Sequence, residues 1–139
     1  MSKMIFVNLP VKDLARSREF FGKLGFTFNE EMCDQNAAAM VIDEENGIFT
    51  MLLVEPFFQT FTTKDVADAT KTTEATVALG VESRAAVDEL ADKALAAGGE
   101  AVREPMDEGF MYGRAVYDLD GHLWEFMWMD PAAAPGKQS

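Results

Sequence analysis

Apolar residues alternate with others from Met4 to Val11, so that Ile5, Val7, Leu9 and Val11 share one side of an extended strand and Phe6, Asn8 and Pro10 the other. The period then lengthens. Asp13 is placed to cap a helix whose apolar stripe is Leu14, Phe20, Phe21 and Leu24, and Gly25 supplies its stop. Strands are predicted at Phe26 to Met32, Ala38 to Ile42 and Ile48 to Val54. The last two flank Asp43-Glu-Glu-Asn-Gly47, which ends in the Asn-Gly pair of tight hairpins.

The β-α-β-β-β order then returns. Glu74 to Glu82 alternates as a strand, Ser83 caps a helix through Val87, Leu90, Ala94 and Leu95, and Gly98-Gly99 ends it. Ala101 to Glu104, Tyr112 to Tyr117 and Leu123 to Met129 follow as strands, with Asp118-Leu-Asp-Gly121 as the turn before the last. Leu9-Pro-Val11 repeats as Leu79-Gly-Val81, 70 residues on, and Gly25 as Gly98, 73 residues on, so each half is one module and the drift is a small indel. Between them, Glu55 to Thr73 begins with Pro56-Phe-Phe-Gln-Thr-Phe61 and continues into a predicted short helix, Lys64 to Ala69. Three phenylalanines in five residues need cover, either against a sheet edge or a dimer partner, or as a lid over a cleft. The tail, rich in Ala and Pro, is predicted to be disordered from residue 132 to 139.

Both faces of the strands want burial. Phe49, Met51 and Leu53, like Leu123, Met127 and Met129, lie opposite Leu52, Val54, Trp124, Phe126 and Trp128. A helix covers one side, and two curved sheets facing one another cover the other while leaving a concave interior. The fold class expected is therefore α+β, two tandem βαβββ modules forming a curved mixed sheet around a cleft. Residues 1–131 make one domain, with module one at 4–54, a linker or lid at 55–73 and module two at 74–130.

The formal net charge of −12 repels a phosphate backbone, and no basic cluster offsets it, so nucleic acid is an unsuitable partner. The acidity serves solubility, or draws cationic ligands. The richest apolar run, Leu123 to Met129, contains Glu125 and is far short of a membrane span. Cys33 is the only cysteine, and the opening MSKMIFVNLPV lacks the pattern of a signal peptide, so the expected location is the cytoplasm. No His accompanies Cys33, Ser17 and Ser83 belong to helix starts, and Glu108-Gly-Phe-Met-Tyr-Gly113 lacks the spacing and Lys of a phosphate loop.

Two stretches carry a family resemblance. Phe6-Val-Asn-Leu-Pro-Val-Lys-Asp-Leu-Ala-Arg-Ser-Arg-Glu-Phe-Phe21 followed by Leu24-Gly-Phe26 resembles the first module of glyoxalase-type proteins, and Tyr117-Asp-Leu-Asp-Gly-His-Leu-Trp-Glu125 resembles their Asp-Pro-Asp-Gly turn and closing strand. The resemblance, over residues 4 to 130, is to the vicinal-oxygen-chelate superfamily of glyoxalases, bleomycin-resistance proteins and extradiol dioxygenases. Within it, the group described as predicted lactoylglutathione lyases or dioxygenase-like proteins is most similar. Metal-dependent members hold a divalent ion such as nickel, zinc, iron or manganese with a His or Gln on the first strand, a Glu ending the first half, a His opening the second half and a Glu on the final strand. Carried across, those positions fall on Phe6, near Met51 to Leu53, on Thr76 and on Glu125, so only Glu125 is kept and the usual metal centre is largely lost. Glu55 and Glu74 are rim acids, and His122, the only histidine, enters the final strand; with Glu125 they are the remaining conceivable donors. The resemblance also implies a homodimer.

Glu125 interrupts an apolar strand, and a carboxylate there needs a cation or hydrogen bonds. Arg114 is the candidate partner; the alternatives are ligand contact or acid-base work shared with Tyr112. Asn8 and Thr76 point to the cleft side by alternation, Asn8 either bonding backbone or orienting a ligand. The candidate catalytic residues are Glu125 and Tyr112, and the candidate ligand contacts are Phe6, Asn8, Met51, Leu53, Thr76, Tyr112, Arg114, Glu125 and Met127. Glu125 is a metal ligand only where a metal binds. The leading functional expectation is a protein binding a small amphipathic molecule in an apolar cleft with no cofactor. A lyase, isomerase or dioxygenase-like enzyme with a nonstandard metal site or a metal-free mechanism is the alternative, and a protein-interaction module using the phenylalanine segment is the third.

Overall fold

The computed structural model describes residues 3–133. The chain divides into two compact units, one up to Asp68 and one from Ala69 onward.

In the first unit the strands are β1 (Ile5–Val11), β2 (Thr27–Phe28), β3 (Ala37–Asp43) and β4 (Ile48–Val54), in the order β1-β4-β3-β2. β1 runs parallel to β4, as the intervening helix α1 (Leu14–Lys23) requires, and the remaining pairs are antiparallel. Asp13 caps α1 by accepting from the Arg16 N–H at 3.0 Å, and Gly25 takes a φ of 103° beyond its end. Phe20 and Phe21 are buried on α1, which packs on β3 and β4. Thr50, Leu52, Met40 and Ala38, which register places on one sheet face, are buried as well.

Two expectations fail here. The strand predicted from Phe26 to Met32 stops at Phe28, because Asn29 accepts from the Glu31 N–H at 3.1 Å and starts a 3₁₀ turn, Glu30–Met32. The helix between the modules is not at Lys64 to Ala69 but is α2, Glu55–Gln59, which begins with Pro56 in its first turn. The Thr60 hydroxyl closes it by donating to the Phe57 carbonyl at 2.7 Å, and the Gln59 amide donates to the Lys64 carbonyl at 2.8 Å. α2 packs against β1 and β4, so Phe57 and Phe58 are half-buried, while Phe61 meets Phe57 edge-on and stays exposed.

The second unit repeats the plan. β5 (Thr76–Gly80) runs parallel to β9 (Leu123–Met129), β9 antiparallel to β8 (Met111–Tyr117), and β8 antiparallel to β6 (Glu100–Ala101) and β7 (Met106–Asp107). The strand predicted at Ala101 to Glu104 is thus only the pair Glu100–Ala101; Val102 to Pro105 form an irregular segment before β7, which alternation did not reveal. Helix α3 (Arg84–Ala96) is capped by Ser83, whose hydroxyl accepts from the Ala86 N–H at 3.0 Å. α3 packs on β8 and β9, with Val87, Ala91 and Ala94 buried along with Val116, Trp124 and Phe126. Beyond β9, Pro131–Ala133 form a 3₁₀ turn, and residues 134–139 of the predicted tail lie outside the described residues.

Candidate functional site

Side chains on a strand alternate between faces, and directly paired residues share one. The face of the second unit away from Trp124 and Phe126 therefore carries Leu123, Glu125, Met127 and Met129 on β9. Glu125 pairs with Ala78 on β5 and Ala115 on β8, and Met127 with Gly80 and Gly113. Glu125 thus stands between small neighbours on both sides. Thr76, Ala78 and Gly80 are exposed, which leaves this face open along β5. A Cβ at Gly80 would meet nothing within 4 Å, whereas Met127 leans over Gly113, its Cγ 3.3 Å from where a Cβ would lie.

The partner of Glu125 is not Arg114. Arg103, from the irregular segment before β7, brings its Nη2 to 3.3 Å from Glu125 Oε1. Arg114 pairs across β8 and β9 with Phe126, and Tyr112 with Trp128, so both project from the opposite face, toward α3. There the Tyr112 hydroxyl donates to Asp88 at 2.6 Å, and the Arg114 guanidinium donates to Asp88 at 3.0 Å and to Asp92 at 2.8 Å. Arg84 stacks 4.5 Å above the Tyr112 ring and pairs with Asp107. The Tyr112 hydroxyl and Arg114 hold Asp88 below its ordinary range against an opposing effect of burial, and Asp88 in turn pushes the Tyr112 phenol up. The expected grouping of Tyr112, Arg114 and Glu125 is therefore split by the sheet.

The turn into β9 is built around Asp118. Its carboxylate accepts from the Asp120 and His122 backbone N–H groups, each at 2.9 Å, and from the Trp124 indole at 3.0 Å. Burial pushes the Asp118 carboxyl up, opposed by the charge of His122 and by these donors. The motif thus fixes where β9 starts, and with it the face on which Glu125 emerges.

In the first unit, Phe6, Asn8, Met51 and Leu53 do share a face, since Phe6 pairs with Phe49, Asn8 with Met51 and Pro10 with Leu53. Phe6 stacks on Phe49 with ring centroids 5.1 Å apart, and Asn8 donates to the Phe6 carbonyl of its own strand at 3.2 Å. Phe6 and Asn8 are exposed and Met51 is half-buried, but Leu53 is buried and has little surface left for a ligand.

A divalent ion needs several converging oxygen or nitrogen donors. Among the described residues no three of His, Cys, Asp and Glu lie close enough to hold one, so the combination of Glu125, His122 and a rim carboxylate does not assemble. Glu125 is instead paired with the Arg103 guanidinium.

Comparison with known proteins places this geometry. The family of bleomycin resistance protein-like N-terminal domains matches residues 3–43. A hypothetical protein from S. aureus of solved structure is 31% identical, with a TM-score of 0.76 over 92% of this chain and 94% of its own. A glyoxalase-related enzyme from Fulvimarina pelagi superposes with a TM-score of 0.78 at 19% identity, covering 100% of this chain and 96% of its own. A glyoxalase/bleomycin resistance protein/dioxygenase family enzyme from Burkholderia phytofirmans gives 0.73 at 15% identity, covering 89% and 96%. At these last two identities the likeness is one of fold. No curated protein matches the chain significantly. The paired βαβββ units, the two motifs and these matches together show that the chain belongs to the vicinal-oxygen-chelate superfamily, which includes the glyoxalase and bleomycin-resistance families.

Proposed function

We propose that the protein binds a small amphipathic molecule against the open face of β5, β9 and β8, and that it does so without the divalent metal of its metal-dependent relatives. The observation that carries this reading is Glu125, a lone carboxylate set among Ala78, Ala115, Gly80 and Met127 and matched by an arginine instead of by further metal donors. Small residues leave room for a ligand, methionine supplies adaptable apolar contact, and one charged group fixes orientation. Thr76, Glu125 and Met127 are the contacts proposed in the second unit; Phe6 and Asn8 offer exposed surface in the first, with Met51 half-buried on the same face. An acid-base mechanism shared by Glu125 and Tyr112 is disfavoured, because the hydroxyl lies on the α3 side of the sheet. A cytoplasmic homodimer completes the proposal, supported by a β1 edge strand that carries no charge.

Binding of the neutral dye Nile red, followed by fluorescence titration, tests the assignment of the face. Gly80→Leu places a bulky side chain in open space on that face, in extended backbone that accepts it. We expect saturable binding to the wild-type protein and a loss of at least about tenfold in affinity for the variant, the effect of about 1.4 kcal/mol of lost contact. Equal affinity for both, with both folded, would place the binding surface elsewhere.

A further inference from the structure

Arg103 and Glu125 meet through one nitrogen and one oxygen at 3.3 Å, not through the two parallel bonds an arginine and a carboxylate form when locked together. The arginine side chain is 46% exposed and the carboxylate 21%, and pairs this accessible to water hold weakly. Arg103 does not belong to the sheet that positions Glu125; it reaches in from the irregular stretch between β6 and β7. Beside that stretch lies a cavity of about 490 Å³, whose wall includes Arg103 itself, Glu104, Pro105, Arg114 and Ala115. The guanidinium therefore has both solvent and a neighbouring cavity to move into.

We infer that Arg103 is a built-in cation that occupies Glu125 when no ligand is bound, and that the site selects amphipathic organic cations because only these replace it. This rests on the binding face proposed above and adds its selectivity. A ligand cation arriving at Glu125 releases Arg103 and leaves the carboxylate neutralised, so the exchange swaps one ion pair for another. A neutral ligand that displaced Arg103 would give up this ion pair and put no cation in its place, so it gains nothing from Glu125. An anion meets Glu125 itself and a chain of formal charge −12. Arg103 thus sets a threshold: it keeps the carboxylate satisfied in the empty protein and weakens the binding of cations by the strength of the internal pair.

The test compares the amphipathic cation rhodamine 6G with neutral Nile red on wild-type protein, Arg103→Met, Glu125→Gln and the double variant. Arg103→Met keeps the apolar stem and removes the competitor, so its affinity for rhodamine 6G rises roughly three- to fivefold, the scale of one exposed ion pair, while Nile red affinity stays the same. In the Glu125→Gln background the same change has no effect on rhodamine 6G. Nile red binding with unchanged or weakened rhodamine 6G affinity in Arg103→Met overturns the inference and leaves the proposed face standing. Failure of every variant and of the wild type to bind either dye overturns both. Thermal unfolding of Arg103→Met within a degree or two of wild type accompanies the expected result, since the pair is too exposed to hold the fold.

Discussion

Gly121 shows how a single residue in the turn before β9 can be fixed by its neighbours. Its φ of +89° lies where side chains are rarely tolerated, and a Cβ there would come within 2.7 Å of the Ala69 carbonyl carbon and oxygen and 2.8 Å of the Thr70 nitrogen. Those neighbours are backbone atoms and cannot rotate aside. The segment Ala69–Thr70 therefore lies directly on the Asp118–Gly121 turn, whose carboxylate in turn anchors Trp124. Gly121→Ala combines backbone strain with a steric clash, and we expect it to lower stability by about 2–3 kcal/mol, read from the midpoint of urea unfolding. Gly80→Ala, at ordinary φ in open space, should change it by less than about 0.5 kcal/mol. Similar midpoints for the two variants would mean that the 69–70 segment does not press on the turn in solution.

At the scale of elements, the second unit is held on its α3 side by a polar network that the strand pattern does not announce. Asp88 accepts from Tyr112 and Arg114, and Arg84 bridges Tyr112 and Asp107, so α3 is tied to both β7 and β8. Because Tyr112 and Arg114 keep Asp88 ionised below the ordinary aspartate value of 3.8, its folded-state affinity for protons is lower than in the unfolded chain. The stabilisation is therefore fully present above pH 3.8 and is lost as the pH falls through the lowered folded-state value. In Asp88→Asn, stability at neutral pH should drop and its decline below pH 4 should be shallower than in wild type, as checked by urea unfolding across pH 3 to 7; parallel curves would remove Asp88 from the account. The same elements show what alternation reveals and what it does not. The bounds of β4 and β9 were readable because seven residues in a row keep their apolar pattern. Whether Tyr112 and Glu125 share a face was not, because that depends on register, and one residue of slip across the turn between β8 and β9 reverses every assignment. The Tyr117–Leu123 pairing settles it. Arg103 was missed for a different reason: it was expected within a strand, Ala101 to Glu104, but lies in an irregular segment, and only the folded chain brings it to a residue 22 positions away. The one available signal was that an isolated carboxylate in an apolar strand demands a cation, with Arg103 and Arg114 both in reach along the sequence.

For the whole molecule, charge and edge composition pull in opposite directions. The chain is 26% charged with a net charge of −12, yet β1, at the edge of its sheet, has no charged residue and exposes Ile5 at 52% and Phe6 at 39%. Uncharged apolar edges invite pairing with another chain, while two copies of an acidic protein repel one another at long range. If β1 takes part in the proposed homodimer, attraction is short-ranged and apolar and only the repulsion is screened by salt. Raising the salt from about 0.01 M to about 0.15 M shortens the screening length from about 30 Å to about 8 Å, so dimerisation should tighten, opposite to the response of an interface held by ion pairs. Sedimentation equilibrium at micromolar concentration measures this directly. Ile5→Lys sets a charge on the same edge and should shift the protein toward monomer at both salt concentrations with its circular dichroism unchanged. A dimer that weakens with salt, or that Ile5→Lys leaves intact, would assign the interface to another surface.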